Sequence, residues 1–372
     1  MSFLSLKNLD FKTVKSNFCR DHLRFVLVAG MGGVLFALYK LLVLYPVGKQ
    51  LNEVVLIVPV LFAIIGTKIR VSEFPPSFRI LLRTMAGVLA VYLLCAYPTM
   101  LTTQQPEHVG FLVEYGRLFA VLAGFIGCFF LMWGLIPFTF LVWYKATQGD
   151  FLGLNLSHTD YFPLFEIGIF LIFLGVSFKA VQRFLPEKEE EKSDDPKRLS
   201  VMERVVLVSI AVHMANYFYS AMKKVVIGET PFAWIFENQT QYLLLTAKEL
   251  GQLPIGFNDA FTNIVYTILD LTVLPTNALL FFGQLFALIA LCRIRWGIWA
   301  TLFYDLTHIV IFFVSGIFFY KWIILNVSVV WALNTVKEKT VDHFLKFVLI
   351  STVICAPLIF VVAKLGWWDT TA

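Results

Sequence analysis

Glu203-Arg-Val-Val-Leu-Val-Ser-Ile-Ala-Val-His213-Met-Ala-Asn216-Tyr-Phe-Tyr-Ser220-Ala-Met-Lys223-Lys224 carries its charges only at its two ends. At 1.5 Å per residue, an apolar run of ~20 residues matches the ~30 Å hydrocarbon core of a bilayer. The stretch therefore reads as a membrane-spanning helix. The rest of the chain is of the same kind: 59% of its 372 residues are hydrophobic, 15% are charged and 38 are Phe. Ordinary soluble domains carry ~25% charged residues, and the mean hydropathy here is +0.77. So much apolar surface cannot be hidden in a water-soluble domain. The expected fold class is all-α, a polytopic integral membrane bundle.

Hydropathy windows place further apolar runs at 25–46, 54–67, 84–101, 117–143, 162–184, 276–292, 296–320, 322–335 and 344–366. The run at 117–143, interrupted by Pro137, is expected to be a non-spanning or doubled element, which leaves about nine spans. Residues 1–24 form an amphipathic cytoplasmic lead-in, too basic and followed by too long an apolar run for a cleavable signal peptide. Residues 25–184 hold the N-terminal membrane helices, 185–200 a charged cytoplasmic loop, 201–335 a membrane core and 336–372 the last helix and tail. Within the core, 231–275 mixes Trp234, Glu237, Lys248, Asp259 and Asp270 with aromatics, as an extracytoplasmic or re-entrant region would.

The formal net charge is +5. Its bases sit at the ends of apolar runs, where they set topology, so nucleic acid is excluded as a partner and the bilayer is the first one expected. Basic residues in 1–24, 68–83 and 179–204 make all three segments cytoplasmic. Three crossings between the second and third contradict this unless one run is doubled. Cys19, Cys95, Cys128, Cys292 and Cys355 form no CxxC, so neither a disulfide framework nor a metal site is expected. Gly30-Met-Gly-Gly33 is read as a place of close helix packing.

Ionisable groups inside apolar runs are functional candidates. His158 opens the run 162–184, with Asp160 and Glu166 beside it. His213, Asn216 and Ser220 follow at i, i+3 and i+7 and lead to Lys223 and Lys224. Adjacent helical residues are ~100° apart, so the lysines can hardly face one way: either both snorkel to the headgroups, or one snorkels while the other turns into the bundle. A desolvated lysine there is suited to act as a general base. Asp305 and His308 lie one turn apart and can pair. Runs 162–184 and 203–222 form a hairpin around the charged loop, which brings His158 and Lys224 to the same non-cytoplasmic face. Convergent polar groups in an apolar setting are the usual form of a binding pocket.

Tyr217-Phe-Tyr-Ser-Ala-Met-Lys-Lys-Val225 resembles the YF-x-x-G-x-K-K-L stretch of vitamin K-dependent gamma-carboxylase and its wider relatives, the horizontally transferred transmembrane domain proteins. Leu156-Ser-His158-Thr-Asp-Tyr161 is similar to that family's N-N-H-S-Y-L motif. Trp234, the apolar segment Asn277–Ala290, Arg293/Arg295 and His308 follow in the family's order. The resemblance covers residues 150–335. It implies a catalytic base at Lys224, assistance from His158, Lys223 beside them, and a reduced quinone of the vitamin K hydroquinone type as the hydrophobic small molecule. It also implies a pocket of His213, Asn216, Tyr217, Ser220, Trp234, Asp305 and His308. Ala221 replaces the family's Gly, Leu156 and Ser157 replace its two Asn, and no counterpart of its large extracytoplasmic domain follows the membrane region. Other readings are a non-enzymatic subunit bound to another membrane protein, a haem protein with His213 and His308 as axial ligands, and a transporter with broken helices.

Overall fold

The computed structural model describes residues 11–44, 53–95, 110–152, 163–186, 196–227, 229–253, 258–317 and 319–368. Every regular element among them is helical, and β pairing is confined to one bridge between Arg70 and Phe130. Five helical segments are long and apolar enough to cross a membrane: Arg20–Val43, Pro76–Cys95, Ile167–Phe184, Val201–Val225 and Ile294–Ser315. Asp259–Leu271 and Val273–Leu285, bent by 66°, make a sixth if counted as one span. The expected count of about nine is therefore not reached among the described residues. Glu53–Ile65 and Trp322–Asn334 are apolar but have only 10–17 residues, short of the ~20 that a straight crossing needs, whereas Leu131–Tyr144 and His343–Ala356 are the apolar starts of helical stretches that run on to Leu152 and Trp368.

The chain divides into two compact units, Met1–Tyr161 with Gly168–Val206, and Phe162–Ile167 with Leu207–Ala372. The first holds α1 (Phe11–Tyr39), α2 (Ile57–Ile65), α3 (Pro76–Cys95), α4 (Arg117–Gly127), α5 (Leu135–Leu152) and most of α6 (Pro163–Phe184). Run 117–143 is doubled. The break does not fall at Pro137, which sits in the first turn of α5, where its missing N–H is no loss. It falls at Cys128–Gly134, where the chain reverses and pairs with Arg70. A Cβ on Gly127 would lie 2.8 Å from the Gly134 nitrogen, so the reversal needs glycine. Of Gly30, Gly32 and Gly33, only Gly32 packs closely, against Leu174.

Glu73 pairs with Lys179 at 2.5 Å, so the 68–83 and 179–204 segments meet at one end of this unit. Asp21 bridges Arg24 (3.3 Å) and Arg198 (2.7 Å), which brings the start of the first long helix to the charged-loop residues. The Lys179 hydrogen bond holds the Glu73 carboxyl below the usual carboxylate range. Buried Arg117 donates to the carbonyls of Leu93 and Leu94 (3.0 and 3.2 Å), acceptors that the end of α3 leaves free.

α7 (Val201–Val225) starts from a capping box. The Ser200 amide donates to Glu203 Oε2 at 2.9 Å, and the Glu203 amide donates to Ser200 Oγ at 3.3 Å. From Leu207 on it belongs to the second unit. There it is followed by α8 (Ala233–Glu237), α9 (Tyr242–Glu249), α10 (Asp259–Leu271), α11 (Val273–Leu285), α12 (Ala287–Ala290), α13 (Ile294–Ser315), α14 (Tyr320–Asn334) and α15 (His343–Trp368). α13 and α14 form a tight hairpin. α13 ends at Gly316, with φ +73°, where a Cβ would collide with the Gln252 carbonyl. Buried Asn277 of α11 donates to the carbonyls of Ile235 (3.2 Å) and Asn238 (2.8 Å) and accepts from Thr240 (2.5 Å). One amide thus clips the 233–240 segment onto α11.

Candidate functional site

The two lysines at the end of α7 diverge. Lys223 is exposed and lies over the Tyr219 ring at 4.8 Å. Lys224 is half-buried. Its Nζ donates to Gln284 Oε1 of α11 at 2.7 Å and to Ser220 Oγ at 3.2 Å, and lies 4.8 Å from the Trp234 ring centroid. No carboxylate pairs with it among the described residues. His158 and Asp160, expected beside it, lie outside the described residues, and the Glu166 side chain does too.

A second group lies deeper on the same face of α7. At ~100° per residue, His213, Tyr217, Ser220 and Lys224 fall within about 60° of arc. Asn216 lies outside that arc. Its amide donates back to the His213 carbonyl at 3.2 Å, so the expected stripe runs through Tyr217 instead.

The hub of this group is Asn326 of α14, fully buried. Its Nδ2 donates to Tyr217 Oη at 2.9 Å and to Asp305 Oδ1 at 2.7 Å. Its Oδ1 lies 2.6 Å from His213 Nε2. With both amide hydrogens committed, the hydrogen-bond pattern assigns the Nε2 proton to His213. Asp305 thus bonds across to α14 rather than to His308, one turn along its own helix. Trp322 lies 5.5 Å from the His213 ring, 5.6 Å from Tyr217 and 5.9 Å from His308. Tyr217 stacks on Tyr304 at 3.8 Å, and Tyr304 Oη donates to the Gly283 carbonyl at 3.0 Å, next to the Gln284 that holds Lys224. The Nδ1 atoms of His213 and His308 are buried without a hydrogen-bond partner among the described residues.

The two groups therefore adjoin through Tyr217, Tyr304 and the Gly283-Gln284 pair. Asn326, Gln284, Tyr304 and Trp322 were not anticipated. Asn326 does carry a sequence signal, an amide inside an apolar run. Asp259 and Asp270 find their partners within the 231–275 region, in Lys248 and Gln241. His213 Nε2, one of the two nitrogens a haem iron could use, is occupied by Asn326. No cluster of three or more His, Cys, Asp or Glu suited to a metal occurs among the described residues. Comparison with protein-family models, curated protein sequences and solved structures finds no match to this chain.

Proposed function

We propose that the chain is a membrane-embedded enzyme, similar to the gamma-carboxylase family, in which Lys224 is the base. Its substrate is a lipid-soluble acid of the hydroquinone type. The observation that carries this reading is the setting of Lys224. Its amine is turned onto α11 and held by a neutral carbonyl, a hydroxyl and an indole face, and no carboxylate among the described residues locks it as an ion pair. A free lone pair there can take the phenolic proton, leaving an ammonium and a phenolate. His158 would stabilise that anion, and Gln284 keeps the amine oriented between turnovers. Lys223, on the exposed side, is assigned to the membrane surface.

The test begins with solvent extraction of purified protein and mass spectrometry for an isoprenoid quinone. Lys224→Ala should leave quinone content within about twofold and lower turnover by about 10²–10⁴-fold, the usual contribution of a positioned base. Unchanged turnover in a folded Lys224→Ala variant removes the role.

A second reading, a non-enzymatic subunit that binds a partner membrane protein, is favoured by Asn326. Through it, buried polar groups satisfy one another without a ligand. A copurifying protein and a quinone-free extract would decide for it. We also assign the N-terminus to the cytoplasm and retain about nine crossings, with the shorter apolar helices crossing in tilted or broken form. The shared end of residues 21, 24 and 198, and of 73 and 179, supports the assignment. A cysteine at Lys7 should resist an impermeant maleimide in intact cells and react after lysis.

A further inference from the structure

α10 divides into three sectors. At ~100° per residue, Thr262, Val265, Tyr266 and Leu269 form one side, and these are buried or half-buried. Asn263, Thr267 and Asp270 form the next, polar and exposed. Phe261, Ile264, Ile268 and Leu271 form the third, apolar and 45–77% exposed. A helix surrounded by water would not present that third sector, and one surrounded by hydrocarbon would not present the second. α13 shows the contrast: from Trp296 to Ser315 every exposed residue is apolar, as on a helix facing lipid all the way across.

The connection to α11 gives the direction. α11 is apolar and follows α10 directly, and the two axes bend by 66° at Thr272. A helix carried at that angle on a membrane-inserted one runs along the bilayer surface. The remaining contacts agree. Asn258 caps α10, accepting from the Phe261 amide at 2.8 Å. Lys248 pairs with Asp259, and Gln241 donates to Asp270 at 3.1 Å, which ties α9 to the polar side of α10.

The geometry points to α10 as an interfacial helix whose partner is the bilayer surface: its Phe261–Leu271 stripe is sunk at the headgroup–acyl boundary, and its Asn263–Asp270 stripe faces water. It anchors the α8–α9 segment, which holds Trp234 over Lys224, to the membrane plane. The assignment is independent of any chemistry at Lys224.

The test places a genetically encoded nitroxide at Phe261, Ile264, Ile268, Leu271, Asn263 and Thr267, one at a time, in the full chain in phosphatidylcholine vesicles. Ile309 of α13 serves as the deep reference. Power saturation with oxygen and a water-soluble nickel chelate reads depth. From 261 to 271 the helix advances about 15 Å along its axis. At 66° from an α11 set along the bilayer normal, that is a depth change of about 6 Å. The expected result is a shallow band for the four apolar sites, all above Ile309, with Asn263 and Thr267 open to nickel. A steady deepening of about 15 Å from 261 to 271 would make α10 half of a crossing and overturn the assignment. Nickel access at all six sites, or exclusion of both reagents from the apolar four, would overturn it as well. The first outcome means an aqueous helix and the second a protein partner.

Discussion

Replacing Asn326 with leucine is the sharpest perturbation of the second unit. Leucine has the same branching and the same number of side-chain heavy atoms, so the change removes hydrogen bonds without leaving a void. Three groups lose their partner: His213 Nε2, Tyr217 Oη and Asp305 Oδ1. Asn326, His213 and Tyr217 are each at least nine-tenths buried, and so is Asp305. An unsatisfied buried polar group costs about 1–3 kcal/mol. Interhelical hydrogen bonds in membranes measure lower, about 0.6 kcal/mol on average, because the unfolded state in lipid also finds partners. The expected loss for Asn326→Leu is therefore about 2–4 kcal/mol, set by three orphans at an intermediate cost each. Equilibrium unfolding in bicelles by a steric trap placed on α13 and α14 measures it directly. Asp305→Asn in the same background should recover part of the loss, since a neutral amide is easier to leave unpaired than a carboxylate. A cost below about 0.5 kcal/mol, or strict additivity of the two changes, would refute the hub assigned to Asn326.

Asn277→Ala should release the 233–240 segment from α11, raising amide hydrogen exchange there at least tenfold while exchange in α13 stays unchanged. Gly127→Ala should destabilise the first unit by about 1–3 kcal/mol in the same unfolding assay, because its Cβ meets the Gly134 backbone rather than a side chain that can turn aside. Glu73→Gln tests the pH response. The Lys179 hydrogen bond lowers the folded-state pKa of Glu73, so the pair stabilises above the ordinary carboxylate range, and that stability is lost as pH falls through the lower folded value. The Glu73 side chain is 41% exposed, so the effect should stay below about 1 kcal/mol and flatten only the acid limb of a thermal-stability profile.

Long apolar helices such as α7 and α13 were legible because length and hydropathy are local properties. Helical pitch set Lys223 and Lys224 ~100° apart but left open whether either turned inward. Chain reversal at Cys128–Gly134 was legible only indirectly, as a parity error in the charge rule. Its position was misread because proline weighs more as a breaker in sequence than in the first turn of a helix, while the two glycines act only through their approach to each other. Asn326 shows where local reading stops. In sequence it is one amide in a short apolar run, 113 residues from His213 and 21 from Asp305. Its partners become visible only when α7, α13 and α14 are brought together. Asn238 and Thr240 illustrate the same limit, since the amide of one and the hydroxyl of the other both bond to Asn277. Burial costs attach to groups rather than to motifs, so in a membrane bundle the informative question for each polar residue is which distant helix must supply its partner. For Lys224 that helix is α11 and the partner is an uncharged amide. The amine is therefore held in place with no counter-ion among the described residues, and this distinguishes it from the closed network farther along the same face of α7.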